Sequence, residues 1–144
     1  MKPLYTQFKE QQKNMKYKAY SLTNSGWYRI GEFNYNLTAT AFLSFGVNAG
    51  SGNIAGILGL VAVKGFNKIS FEKILRQALE VTKHFTKFRL VFKNYSISYI
   101  EAYKSTETSA TLLAKLSAEI NTELYDAAEE GNVPEGYSTI ELEL

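Results

Sequence analysis

No cysteine occurs in the 144 residues, so neither a disulfide framework nor a cysteine-based metal site can be built. Histidine occurs once, at His84, and aspartate once, at Asp126. A transition-metal centre of two histidines, or of histidine and cysteine, therefore cannot form within one chain. A Ser-His-Asp triad would have to use His84 and Asp126, and no serine stands in a nucleophile-elbow motif. Proline is limited to Pro3 and Pro134, and tryptophan to Trp27. The longest apolar run, residues 54–63, is about half a membrane span and is interrupted by Gly56 and Gly59. Met1 to Phe8 lack the apolar core of a secretory signal. These absences lead to the expectation of one soluble domain, assembled in a reducing compartment, with no membrane insertion, no metal and no cofactor.

What the chain has in abundance is aromatic: ten Tyr, nine Phe and one Trp, residue types that favour strands and interfaces. Charge is unevenly spread. Residues 1–30 carry six Lys/Arg against one Glu, residues 31–100 eight against three, and residues 101–144 two against ten acids. The basic residues are spaced singly and form no patch, so contact with neighbouring protein subunits is expected rather than contact with nucleic acid.

Residues 1–20 read as an N-terminal attachment arm or helix, because Leu4, Phe8, Gln11 or Gln12 and Met15 fall near helical spacing. Leu4, Tyr5, Phe8 and Met15 are its candidate attachment residues. From Gly26 the period changes to two, and residues 21–144 read as a β-sandwich domain. Tyr35, Leu37, Ala39, Ala41, Leu43, Phe45 and Val47 share one face, Asn48 to Asn53 is a turn, and residues 54–63 read as a strand buried on both faces. A short strand is expected over Phe66 to Phe71, and a helix or long loop from Phe71 to Lys83. Strands are expected around Phe88–Phe92, around Tyr99–Tyr103, over Thr111–Ile120 and at the C-terminus, where Glu141 and Glu143 face out from an edge. Residues 121–130 are acidic and helix-compatible, and 131–136 form a turn. Seven or eight short strands with polar turns point to an all-β, jelly-roll-like antiparallel sandwich.

Few residues offer chemistry. Glu101, Glu107, Glu119, Glu123, Asp126, Glu129 and Glu130 are candidate acids for glycan cleavage by residue type alone, and most read as a solvated face. Gly50 to Gly56 lacks the Gly-Lys-Ser/Thr ending of a phosphate loop and reads as a turn. Glu123, Asp126 and Glu129 match no calcium-loop spacing. Tyr95, Tyr99 and Tyr103 form the candidate glycan-binding run, since aromatic faces stack on sugars, with core packing or a subunit interface as the alternative. Trp27 carries the same two readings and is expected to be a packed anchor of the first strand.

Gly26-Trp27-Tyr28-Arg29-Ile30-Gly31-Glu32-Phe33 resembles the "GWYRIA" opening of β-rich domains at the C-termini of phage tail-fibre and receptor-binding proteins, and in related phage structural proteins. In such domains a strand similar to Phe88-Arg89-Leu90-Val91-Phe92 is followed by one similar to Tyr99-Ile100-Glu101-Ala102-Tyr103, and the chain closes on a segment like Val133-Pro134-Glu135-Gly136-Tyr137-Ser138. The resemblance covers roughly residues 20 to 144, with Gly31 standing where the family usually has Ala. It implies a homotrimeric virion protein, assembled in the host cytoplasm, that contacts other virion proteins and binds host-surface glycan or protein without catalysis. The chain begins about 25 residues before the motif, where a tail fibre would carry a long shaft, so a small stand-alone virion protein or a fragment is expected. A lectin-like carbohydrate-binding module is the alternative.

Overall fold

The alternating segments pair into two sheets. The computed structural model describes residues 15–33, 39–48, 54–64, 69–77, 83–94, 96–118 and 122–143. Within them are ten strands: β1 (Met15–Leu22), β2 (Gly26–Phe33), β3 (Ala39–Asn48), β4 (Ile54–Lys64), β5 (Ile69–Gln77), β6 (Phe85–Phe92), β7 (Ser98–Lys104), β8 (Ala110–Ala118), β9 (Thr122–Glu130) and β10 (Ser138–Glu143). One sheet runs β1-β8-β3-β4-β5 and the other β10-β6-β7-β2-β9, and their ladders are antiparallel. β1 lies against β9 and β5 against β10, so the sheets stack face to face. The architecture is the all-β sandwich expected. The sequence-nested pairs β1–β8 and β2–β7 give it its jelly-roll character, while β3-β4-β5 is a meander and β6-β7 a hairpin.

The core follows from alternation. Leu43, Phe45 and Val47 of β3 point inward against Phe88 and Leu90 of β6, and Phe42 points out. The rings of Phe45 and Phe88 meet at 4.4 Å between centroids. Each such side chain contributes about 1.5–3 kcal/mol on burial. On β10, Ile140 and Leu142 pack against the core while Glu141 and Glu143 face out from the sheet edge, as expected. β4 lies between β3 and β5, inside its sheet.

Three segments depart from the sequence-based expectations. Residues 69–77 are strand β5, paired with β4 from Lys64↔Ile69 to Ile57↔Gln77, and not a helix or loop from Phe71 onward. A register shift between Gly59 and Leu60 breaks the alternation there, and pairing overrides a short stretch of helical spacing. The acidic residues 122–130 form edge strand β9 rather than a helix. Residues 15–20 belong to β1, which pairs with β8 from Met15↔Ser117 to Leu22↔Ala110 and buries Tyr20 and Leu22. Of the arm or helix expected over 1–20, residues 15–20 are strand, while residues 1–14, with Leu4, Tyr5 and Phe8, lie outside the described residues. Among the described residues, no helix is long and apolar enough to cross a membrane.

Candidate functional site

β2 is the second strand among the described residues and runs inside its sheet, between β7 and β9. A bulge divides it. Arg29 pairs with Glu101 of β7, whereas Gly31 pairs with Ile100, so Ile30 is the extra residue. Across the other ladder the irregularity is larger: Gly31 faces Leu124 and Arg29 faces Glu129. Ile30 and Phe33 turn into the core, and Trp27 and Arg29 turn to the outer face. Bulges re-aim side chains in this way. Tyr20 closes the gap from the opposite sheet, its hydroxyl shared between the carbonyl oxygens of Ile30 at 3.1 Å and Tyr125 at 2.7 Å. Burial, with Asp126 nearby, raises the pKa of that hydroxyl well above the ordinary tyrosine range.

The outer face of this sheet carries cross-strand rungs. One rung reads Glu129, Arg29, Glu101, Arg89, Glu141 across β9, β2, β7, β6 and β10, alternating in charge through all five strands. Beside it stand Trp27, Tyr103 and Lys87 on one side, and Glu32, Tyr99 and Val91 on the other. Glu101 is fully buried and sits at the centre of the charged rung. Its Oε1 accepts from Arg89 Nε at 2.8 Å and Nη2 at 2.6 Å, and its Oε2 from Arg29 Nε at 2.9 Å and the Asn132 amide at 3.2 Å. Arg29 Nη2 also donates to the backbone and side-chain oxygens of Asn132 at 2.9 and 3.1 Å. The carboxylate is thus satisfied at both oxygens, which is what a buried charge requires.

Aromatic rings cover both guanidinium groups. Arg89 lies 3.9 Å from the Trp27 ring centroid, and Arg29 lies 3.6 Å from that of Tyr99. Trp27 contacts Tyr103 at 5.1 Å, and Tyr99 contacts Tyr137 at 6.0 Å. Trp27 is therefore packed, as expected, but on the outer face and not in the core. Burial, then the neighbouring Tyr137, raises the pKa of Tyr99. The residues joining β9 to β10, 131–137, run from one edge of this sheet to the other, a span of about 19 Å. They lie close over the rung: the Gly131 amide donates to the Trp27 carbonyl at 2.8 Å. A side chain at Gly131 would place Cβ 2.8 Å from both Glu101 Oε1 and Trp27 Cβ.

Of the candidate glycan-binding tyrosines, Tyr99 and Tyr103 share this face, and Tyr95 lies outside the described residues. Met15 pairs with Ser117, away from the rung. Glu101 is an ion-pair centre. Glu123, Asp126, Glu129 and Glu130 are exposed on β9, consistent with a solvated face, and Glu119 lies outside the described residues. Glu107 accepts from Ser25 at 2.6 Å and Asp126 from Lys18 at 2.6 Å. His84, helical in backbone and buried before β6, has its Nδ1 3.0 Å from Thr106 Oγ1. Most of Gly50–Gly56 lies outside the described residues. Among the described residues, no group of three or more His, Cys, Asp or Glu is placed to hold a metal. Arg29, Arg89, Asn132 and Tyr137 carry no site role in the reading of the sequence. Arg29 and Arg89 are charged residues at outward-facing places in otherwise apolar strands, while Asn132 and Tyr137 lie in the connection from β9 to β10.

The loop 104–109 is closed on itself. The Lys104 ammonium donates to the carbonyls of Thr23 at 3.2 Å, Thr106 at 2.7 Å and Thr108 at 2.6 Å, and to Thr106 Oγ1 at 3.0 Å. Burial lowers its pKa, partly offset by Glu107.

No protein-family model matches the chain, and no curated protein matches it in sequence. Among solved structures it is similar to the Acinetobacter phage vB_ApiP_P1 tailspike protein at 14% identity and a TM-score of 0.37, over 78% of this chain and 22% of that one. It is also similar to the Acinetobacter baumannii phage AM24 tailspike protein at 11% identity and a TM-score of 0.36, over 91% of this chain and 29% of that one. The chain spans less than a third of either tailspike, and scores of this size establish neither a family nor a function.

Proposed function

We propose that this chain is a bacteriophage virion structural protein, of fibre, tail-tip or capsid-decorating type, and that it meets host-surface glycan on the outer face of the β10-β6-β7-β2-β9 sheet. One observation carries the reading. The segments that resemble the phage domains, far apart in sequence, supply this single face: Trp27 and Arg29 from the first, Arg89 from the second, Tyr99, Glu101 and Tyr103 from the third, and Tyr137 from the last.

The chemistry suits binding without catalysis. Tyr99 and Tyr103 are half-buried, so each ring is held by its neighbours and still offers surface to a sugar. Both oxygens of Glu101 are engaged by N–H donors, which leaves it poorly placed to pass a proton to a glycosidic oxygen. In this reading residues 1–14, with Leu4, Tyr5 and Phe8, attach the protein to other virion proteins, with Met15 at the junction with β1. A homotrimer is the expected assembly.

The test is binding to surface polysaccharide purified from candidate hosts. Tyr99→Ala and Tyr103→Ala should each weaken binding about tenfold, or about 1.4 kcal/mol, with an unchanged circular dichroism spectrum. Binding that is indifferent to both substitutions would remove the face from the proposal, and release of reducing ends would replace binding by catalysis. Labelling of phage particles by antibody against the chain separates the virion protein from a free lectin-like module.

A further inference from the structure

The two outer faces of the sandwich differ in chemistry. The one just described is dense in charge. On the other, strand alternation turns outward Tyr17, Ala19 and Ser21 of β1, Thr111, Leu113, Lys115 and Ser117 of β8, and Phe42, Ser44, Gly46 and Asn48 of β3. Three large hydrophobic side chains stand out as exposed among the described residues, and two are here: Tyr17 at 55% and Phe42 at 44%. They lie on neighbouring rungs, Tyr17 level with Lys115 and Ser44, and Phe42 level with Ser117. Among the residues whose side chains are described, the outward charges include Lys115 on β8 and Glu72, which follows buried Phe71 on edge strand β5 and precedes exposed Lys73.

We infer that this face is the surface on which a second copy of the chain docks, with Phe42 on its central strand and Tyr17 on its edge strand β1. The inference builds on the self-association in the proposed function and names the surface responsible. Two features identify the occupant. The first is charge. Lys115 and Glu72 sit toward opposite flanks of one face, three strands or about 14 Å apart, so Lys115 of one copy finds its complement in Glu72 of another and no foreign charge is needed. The second is size. Five strands at about 4.8 Å spacing and about eight residues in length present roughly 600 Å² per copy, comparable with the roughly 800 Å² that each partner gives to a standard interface. The small outward residues Ala19, Ser44 and Gly46 let another sheet approach closely. Tyr17 and Phe42 flank Lys115 and Ser117 of β8, and large apolar side chains exposed among polar ones are the composition of a protein interface.

The experiment is the solution mass of the full chain by light scattering over a concentration series, with circular dichroism as the check on folding. The wild type should exceed the 16.2 kDa monomer mass. Phe42→Lys and Tyr17→Lys should each return it to the monomer. Lys115→Glu and Glu72→Lys should each weaken association at least tenfold, and the double reversal should restore it. The charge pair reads the interface even if Phe42→Lys fails to fold. A monomeric wild type overturns both this inference and the self-association beneath it. An oligomer that survives these changes but is broken by Tyr103→Lys overturns this inference alone, because the interface then lies on the opposite sheet.

Discussion

Arg89 grips one oxygen of Glu101 with two nitrogens, at 2.8 and 2.6 Å, while its guanidinium lies over Trp27. Glu101 therefore ties β6 to β7 and, through Arg29, to β2, and it also holds the residues that cross the sheet at Asn132. It is fully buried beneath them.

Removing that carboxylate leaves two guanidinium groups without their shared acceptor. Glu101→Ala should cost about 3–5 kcal/mol, read by urea unfolding, because breaking one side of a buried ion pair strands the other. Replacing all three members, Glu101→Leu with Arg29→Met and Arg89→Met, should cost clearly less, since no charge then remains buried. Equal losses in the single and triple variants would show that shape, not charge, holds this rung together.

Gly31 has no room for a side chain. A Cβ there would lie 2.5 Å from the backbone oxygen of Glu123 and 3.3 Å from Leu124 Cδ2, because β9 approaches closely at the bulge. Gly31→Ala should therefore destabilise the protein by about 1–3 kcal/mol, seen as a lower thermal midpoint. A neutral outcome would mean that β9 moves aside freely.

Tyr20→Phe keeps the ring and deletes the hydroxyl that serves the Ile30 and Tyr125 carbonyls. A buried acceptor left without a donor costs about 1–3 kcal/mol, so chemical denaturation should detect the loss. Hydrogen exchange should also quicken at the β2–β9 bulge while the β3–β8 ladder stays protected.

Acid should weaken the fold through two exposed carboxylates. The Lys18 hydrogen bond, then its charge, lowers the pKa of Asp126, and the Ser25 hydrogen bonds lower that of Glu107. A lowered folded-state pKa gives stability that is present above the ordinary values of 3.8 and 4.5 and is lost as pH falls through the folded values. Thermal midpoints should hold steady near neutrality and decline below those ordinary values, with a shallower decline in Asp126→Asn. Salt should blunt the Asp126 part, because that side chain is 94% exposed.

Much of the fold was legible in alternation. Leu43, Phe45 and Val47, expected on one face, point inward together, and Glu141 and Glu143 take the outward face expected of them. Reading failed where alternation fails. β9 faces Arg29 and Gly31 with residues as far apart as Glu129 and Leu124, so its period of two is lost and its acidic residues mimic a helix face. On β5, helical spacing around Ile74 and Leu75 competed with a ladder to β4 that no local pattern announces. At the candidate site, Tyr99 and Tyr103 share one face because their own strand alternates. Arg29, Arg89 and Asn132 were missed because each acquires its role from a different strand or loop.

By itself the amino-acid sequence determined the class of the molecule: an aromatic-rich, alternating chain without cysteine and with a single histidine, committed to strands. Only the tertiary structure decided that Glu101 stands between Arg29, 72 residues away, and Arg89, 12 residues away, and that Trp27 covers the second guanidinium. The physical reason is that alternation specifies which face a side chain takes but not which strand lies beside it. Neighbour and register come from burying both sheets at once.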